Sequence, residues 1–158
     1  MEGMDPLAVL AESRLLPLLT VRGGEDLLGL ARVLEEEGVG ALEITLRTEK
    51  GLEALKALRK SGLLLGAGTV RSPKEAEAAL EAGADELDVV PDFGALADRQ
   101  STPIHDELAA ICELGLPVKV ILEVGRLDPD SLALLVEISI DAGARFLKSG
   151  SGFGPAVT

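Results

Sequence analysis

The stretch that decides the fold is Glu81–Val90, EAGADELDVV, where a helix end meets an aliphatic strand. Gly38, which ends the helix predicted over Glu25–Glu37, is expected to take the left-handed conformation that closes many helices. The same kind of junction occurs as EGVG at Glu37–Gly40 and as DAGA at Asp141–Ala144. A helix end that turns directly into a strand, repeated along a chain, is typical of parallel βα units.

Outward from this junction, hydrophobic periodicity and helix caps predict strands and helices in alternation. The predicted strands are Leu15–Val21, Ala41–Arg47, Leu63–Gly68, Asp85–Val90, Pro117–Glu123 and Arg145–Lys148. Helices are predicted to open at Asp5-Pro6, to cover Glu25–Glu37, Glu49–Ser61 and Ser72–Ala82, and to open again at Thr102-Pro103 and Asp128-Pro129.

Right-handed crossovers make successive parallel strands wind in one direction. The pattern therefore predicts an α/β fold of parallel βα repeats, a partial TIM (β/α) barrel of about six strands, in a single domain over residues 1–158. The alternative is an open doubly wound α/β sheet. A complete barrel needs about 250 residues, so the last two units are expected to be missing.

Composition narrows the classes of partner. With 15 basic and 27 acidic residues the net charge is −12, which argues against binding to nucleic acid or to an anionic membrane surface. The single cysteine allows no internal disulfide and no cysteine metal cluster. Neither an export signal nor an apolar run long enough to span a bilayer is visible, so we expect a cytoplasmic protein.

Charged side chains interrupt the second predicted strand on one face. Glu43, Thr45 and Arg47 alternate with aliphatic residues. A polar face is not expected to lie under the covering helices, so this set should point into the barrel mouth, where barrel active sites lie. The alternative is an internal Glu–Arg ion pair in which each side chain only neutralises the charge of the other.

Three more charges lie in otherwise aliphatic strands: Asp88, Lys119 and Lys148. Lys119, Ile121 and Glu123 are predicted to share one face of the fifth strand. An amine between apolar walls and near a second cation loses its proton easily and becomes a nucleophile toward carbonyls. Lys148 could thus be the nucleophile, with Lys119 as the second cation and Asp88 as a proton shuttle. The alternative is a buried Asp–Lys pair, or lysines that reach solvent.

Two glycine-rich segments carry weaker signals. Leu65–Thr69, LGAGT, lacks the pattern of a dinucleotide or phosphate loop, and its small residues predict close approach of backbone or substrate. The tail Ser149–Gly154 could bind an anion through backbone N–H groups, or could be a frayed end.

Residues 1 to about 84 resemble the keto-deoxy-phosphogluconate (KHG/KDPG) aldolases, on the motifs LEITLRT at Leu42–Thr48 and GAGTV at Gly66–Val70. The resemblance implies that Glu43 is the base for proton transfer. It also implies that Arg47 and Thr69 bind the carboxylate of a keto acid.

From about Glu81 to the end, the chain resembles the deoxyribose-phosphate aldolases. The motifs are GADELDVV at Gly83–Val90, VKVILE at Val118–Glu123 and AGARFLK at Ala142–Lys148. The resemblance implies a Schiff base on Lys148, proton relay through Asp88 and a catalytic role for Lys119. The change of family near 81–85 predicts a recombined or engineered chain, a chimera of two aldolases.

Both resemblances imply a class I aldolase-like lyase that acts on a 2-keto acid or an aldehyde, possibly phosphorylated. The lysine iminium takes up the electrons, so no metal and no cofactor are expected. The alternative is an engineered chimeric fragment with a folding purpose and little or no activity. Two bare sheet edges would make a monomer poorly behaved, so a homo-oligomer is expected.

Overall fold

The computed structural model of the protein describes residues 5–155. The strands are β1 (Leu18–Leu19), β2 (Ala41–Thr45), β3 (Leu64–Val70), β4 (Glu86–Val89), β5 (Val118–Ile121) and β6 (Phe146–Lys148). The α-helices are α1 (Pro6–Ser13), α2 (Leu27–Glu36), α3 (Lys50–Leu58), α4 (Pro73–Ala82), α5 (Phe93–Ala97), α6 (Ser101–Cys112) and α7 (Pro129–Asp141), and a short 3-10 turn covers Val124–Arg126.

The six strands form one open parallel sheet in which strand order follows chain order, from β1 to β6. In register, Leu18 of β1 lies opposite Glu43 of β2, and Glu43 lies opposite Gly66 of β3. A chain that winds in one direction gives the strand order of a barrel, and the predicted class of parallel βα repeats is confirmed. A doubly wound sheet would reverse the order at a switch point, so that alternative is wrong.

Aspartates begin several of the helices. The carboxylate of Asp26 accepts a hydrogen bond from the Gly29 N–H at 2.9 Å, and that of Asp128 accepts one from the Ser131 N–H at 3.0 Å. Such caps satisfy N–H groups that lack a partner within the helix. At α4 the Ser72 hydroxyl caps the Glu75 N–H at 3.2 Å, as the sequence predicts.

The first strand is shorter than predicted. Leu15–Val21 was expected to be extended, but only Leu18–Leu19 pairs with β2. Pro17 has no N–H to contribute to a ladder, and its carbonyl only accepts a bond from the Glu43 N–H at 2.9 Å. The missing N–H of Pro17 therefore limits how far the first strand extends toward its N-terminal end.

One helix has no counterpart in the sequence prediction. Helix α5 begins after Asp92, whose carboxylate accepts a hydrogen bond from the Ala95 N–H at 2.9 Å. Leu96 is the residue of this helix that is fully buried. With one anchor the helix shows too little periodicity to be recognised, although Asp92 before Phe93 is a signal for its start.

The chain divides into two compact units. The first runs to Val70 and includes Ala78–Leu87, and the second contains Arg71–Glu77 and continues from Asp88. The core of the first unit is aliphatic and centres on Leu42, Ile44, Leu55, Leu58, Leu64 and Leu65. The core of the second unit centres on Leu96, Ile104, Leu108, Ile111, Val120 and Leu135. Within residues 5–155 no helix is long and apolar enough to cross a membrane.

Candidate active site

Asp88 on β4 holds two ammonium groups in the second unit. Its Oδ2 lies 2.7 Å from the Nζ of Lys148, and its Oδ1 lies 2.8 Å from the Nζ of Lys119. The Asp88 side chain is 2% exposed, that of Lys119 12% and that of Lys148 26%. The structure therefore brings together the three charges that the sequence singled out on β4, β5 and β6.

Strand alternation explains this placement. Successive side chains of a strand point to opposite faces, so the neighbours of each charge lie on the other face. Leu87 and Val89 are buried beside Asp88, and Val118 and Val120 are buried beside Lys119. The aliphatic faces pack into the core, which leaves the charged faces to meet one another.

The two lysines of this cluster meet at the same buried side chain. Two ammonium groups share one carboxylate, and buried charges are tolerated when they are paired and hydrogen-bonded. Lys148 differs from Lys119 in being about one quarter exposed, and a small molecule in solvent can reach it.

Glu43 is a buried carboxylate of the first unit, with 3% exposure. Its side chain lies over two glycines of β3. A Cβ on Gly66 would be 3.4 Å from the Glu43 Cγ, and a Cβ on Gly68 would overlap the Glu43 Oε1. The predicted close approach at LGAGT is thus an approach of the Glu43 side chain to the β3 backbone.

Arg47 and Thr69 also meet in the first unit. The Nε of Arg47 donates a hydrogen bond to the Thr69 Oγ1 at 3.2 Å. Thr69 has a φ of 60°, in the left-handed region that non-glycine residues rarely adopt. Such backbone conformations concentrate at functional sites. The two side chains to which the resemblance gives a carboxylate-binding role are therefore neighbours.

The strand that was expected to carry Arg47 ends earlier. Strand β2 stops at Thr45, and Arg47 lies in the turn that follows it. The prediction that Arg47 shares a strand face with Glu43 and Thr45 is therefore wrong. Beyond Thr45, the Leu46 N–H donates one more hydrogen bond to β3, at the Gly68 carbonyl. The chain then turns toward α3, and the pairing of β2 with β3 ends.

Glu123 is also placed differently from its prediction. Strand β5 ends at Ile121, and Glu123 has φ 50° and ψ 53°, so it does not continue the face of Lys119 and Ile121. Its carboxylate accepts a hydrogen bond from the Ser151 hydroxyl at 3.0 Å and another from the Ser151 N–H at 2.5 Å. The Ser151 N–H of the glycine-rich tail thus binds a carboxylate of the chain itself.

Sequence reasoning missed two polar features. Glu86 is 1% exposed on β4, two residues before Asp88, and the alternation of charged and aliphatic residues in ELDV could have indicated it. The hydroxyl oxygens of Thr20 and Thr45 lie 2.7 Å apart in the first unit. No local pattern marks Thr20, because its partner is brought to it by the pairing of β1 with β2.

Within residues 5–155 the structure holds no group of three or more His, Cys, Asp or Glu side chains placed to bind a metal ion. The ions that Asp88 binds are the two lysine ammonium groups.

The family model of the KDPG and KHG aldolases matches residues 7–112. The chain belongs to the KDPG and KHG aldolase family. A solved structure of this family, a 4-hydroxy-2-oxoglutarate aldolase/2-deydro-3-deoxyphosphogluconate aldolase from TTHB1, is 59% identical, with a TM-score of 0.57 over 94% of this chain and 78% of that chain. The KDPG aldolase of Legionella pneumophila, solved with pyruvate captured as a covalent carbinolamine, is 27% identical, with a TM-score of 0.65 over 89% of this chain and 60% of that chain.

The chain is also similar to deoxyribose-phosphate aldolases. That of Trichormus variabilis is 44% identical over 93 residues, which is 57% of this chain and 41% of the relative. The chain thus spans about two fifths of the length of that relative. A match of 93 residues cannot fit between Glu81 and the end of the chain, and the KDPG and KHG aldolase match passes through Glu81 to residue 112. The two likenesses overlap, and the recombination near 81–85 stays a prediction.

Proposed function

We propose that the protein is a class I aldolase-like lyase that forms or breaks a carbon–carbon bond next to a carbonyl through a Schiff base on Lys148. The observation that carries the proposal is the position of the Lys148 Nζ, 2.7 Å from the Asp88 Oδ2, while the Lys119 ammonium occupies the other oxygen. A lysine amine held near a second cation is a recognised arrangement for attack on carbonyls.

The first step needs a base and then an acid at the same place. Asp88 accepts a proton from the Lys148 ammonium, and the freed amine forms a C–N bond with the carbonyl carbon. The carbonyl oxygen gains protons and leaves as water, which leaves an iminium. Asp88 lies within hydrogen-bond distance of the Nζ and can serve in both directions.

The carbon–carbon step uses the iminium as its electron acceptor. The bond breaks, its electron pair moves toward the iminium nitrogen, and an enamine forms. In the leaving fragment the hydroxyl loses its proton to a base and becomes a carbonyl. Addition of water to the iminium, after the enamine has gained a proton on carbon, releases the second carbonyl compound and restores the lysine.

The proposal for the substrate class is supported by the relatives. We propose a 2-keto acid or an aldehyde, with Arg47 and Thr69 as ligands of a keto-acid carboxylate and Glu43 as a proton-transfer base. The pair of Arg47 and Thr69 supports this assignment, because a guanidinium and a hydroxyl both donate hydrogen bonds to carboxylates. Pyruvate is the appropriate probe, since the Legionella pneumophila relative was captured with it.

The test is reductive trapping. The protein is incubated with pyruvate, and in parallel with acetaldehyde, then reduced with borohydride and mapped by peptide mass spectrometry. We expect a stable adduct on Lys148, none on the exposed Lys50, and no adduct at position 148 in Lys148→Met. Retention of the Lys148 adduct in Lys50→Met is the matched control. Absence of any adduct on Lys148 with both carbonyl compounds ends the proposal.

A second candidate is a recombined or engineered chain kept for its fold, with little or no turnover. It is favoured by the last of the three points at which the chain passes between the two compact units, at Leu87 and Asp88, which lies close to the predicted junction. Under this alternative, Lys148→Met changes stability and removes no measurable activity. Under the proposed function, the same substitution removes adduct formation.

A further inference from the structure

The segment that follows Lys148 is folded around the carboxylate of Glu123. Both oxygens of Glu123 accept hydrogen bonds from Ser151, one from its N–H and one from its hydroxyl. Glu123 lies 28 residues before Ser151 and is 9% exposed. A nearly buried carboxylate that binds a single distant residue through two bonds fixes the position of that residue.

Glycines allow the segment to come this close. A Cβ on Gly150 would be 3.0 Å from the Glu123 Oε1, and a Cβ on Gly154 would be 2.6 Å from the Glu123 Oε2. On the other side, a Cβ on Gly125 would be 2.5 Å from the Pro155 carbonyl oxygen. The lack of a side chain at Gly150 and Gly154 is thus explained by the Glu123 carboxylate beside them.

Backbone hydrogen bonds also join the residues on either side of Glu123 to Lys148 and Ser149. The Leu122 N–H donates to the Lys148 carbonyl at 2.9 Å, and the Val124 N–H donates to the Ser149 carbonyl at 2.9 Å. Glu123 stands between these two donors, so its side-chain bonds to Ser151 extend a clamp that starts at Lys148. The left-handed backbone of Glu123 persists because these bonds hold it on both sides.

We infer that Glu123 is a positioning residue for the Schiff-base lysine. By fixing Ser149–Ser151 it fixes the end of β6 and thereby keeps the Lys148 amine on Asp88. The inference rests on the proposed function only where it concerns catalysis, because the position of the amine can be measured without any aldolase activity.

The experiment compares Glu123→Ala, Glu123→Gln and Gly150→Ala with the unchanged protein. Glutamine can still accept from the Ser151 N–H and share a hydrogen bond with its hydroxyl, whereas alanine can do neither. Gly150→Ala places a methyl group 3.0 Å from the Glu123 Oε1 and so crowds the contact between the segment and the carboxylate without removing the carboxylate. Glu113→Ala, at an exposed glutamate after α6, is the matched control.

Two readouts separate positioning from folding. The first is the rate of borohydride-trapped adduct formation with pyruvate, which we expect to fall on the order of tenfold to a hundredfold in Glu123→Ala and Gly150→Ala. The second is acetylation of Lys148 by limiting acetic anhydride, relative to Lys50 in the same sample and followed over pH. Release of the amine from Asp88 should raise this ratio several-fold. Circular dichroism identifies variants that have not folded.

Recovery of both readouts in Glu123→Gln, with Glu113→Ala unchanged, supports the inference. Values in Glu123→Ala and Gly150→Ala equal to those of the unchanged protein overturn it, and so does a Glu123→Gln variant that behaves like Glu123→Ala. Failure of the unchanged protein to give an adduct refutes the proposed function alone. The acetylation ratio then still decides whether Glu123 positions Lys148.

Discussion

Asp88 is the residue on which the charged cluster of the second unit depends. It is 2% exposed and its two oxygens bind two ammonium groups. Removing one of two partners from a buried ion pair costs more than the pair contributed, because the remaining charge stays desolvated. Loss of the Asp88 charge takes a counter-charge from both lysines, whereas loss of the Lys148 charge leaves the pair of Lys119 and Asp88 in place.

We expect Asp88→Asn to lower the free energy of unfolding by about 3 kcal/mol, because Lys119 and Lys148 are then left with no counter-charge from Asp88. Lys148→Met should cost less, since the Lys119–Asp88 pair persists. Urea unfolding followed by far-ultraviolet circular dichroism measures both, because the chain has no tryptophan or tyrosine for fluorescence. An Asp88→Asn variant as stable as Lys148→Met contradicts this account.

At the scale of elements, β2 and β3 are fitted to each other by side-chain size. Glu43 lies opposite Gly66 in the ladder, and its carboxylate extends over Gly68. The strand with the small residues therefore makes room for the acidic side chain of its neighbour. The same two glycines differ in how much space remains above them.

This difference predicts unequal effects of alanine at the two positions. In Gly68→Ala the new methyl group meets the Glu43 carboxylate, and we expect a loss of about 1–3 kcal/mol in the free energy of unfolding. Gly66→Ala is the matched control on the same strand, since its methyl group would be in ordinary contact at 3.4 Å. Denaturant titration compares them, and equal losses in both variants contradict the packing argument.

At the scale of the whole molecule, the two ends of the sheet order are open to further pairing. Among the described strands, the sheet order gives β1 one neighbour, β2, and gives β6 one neighbour, β5. Leu18 on β1 is 48% exposed and Leu147 on β6 is 40% exposed. Exposed strand edges with apolar side chains favour pairing with another chain.

We therefore predict a homo-oligomer formed through these edges. Sedimentation at increasing concentration should show association, and Leu147→Lys should shift the protein toward monomer, because a charge at an edge opposes pairing. Ile140→Lys, at an exposed apolar residue of α7, is the control and should leave association unchanged. A monomer at high concentration contradicts the prediction.

Much of the fold and part of the site follow from local patterns. The period of two in β4 and β5 places Asp88 and Lys119 opposite aliphatic side chains, and these faces were predicted correctly because strand geometry alone determines them. Arg47 and Glu123 were assigned to strand faces and lie beyond the strand ends. Beyond a strand end, the alternation of side chains between two faces no longer applies, because the local backbone dihedral angles set the direction of each side chain.

The sequence by itself determined the alternation of strands and helices, the direction in which the chain winds and the charged faces of the middle strands. These depend on hydrophobic periodicity, caps and crossover handedness, which act over short stretches of chain. Only the tertiary structure decided that Asp88 binds two lysines at once and that Ser151 binds Glu123. Both depend on distances between residues far apart in the sequence, and strand pairing sets those distances.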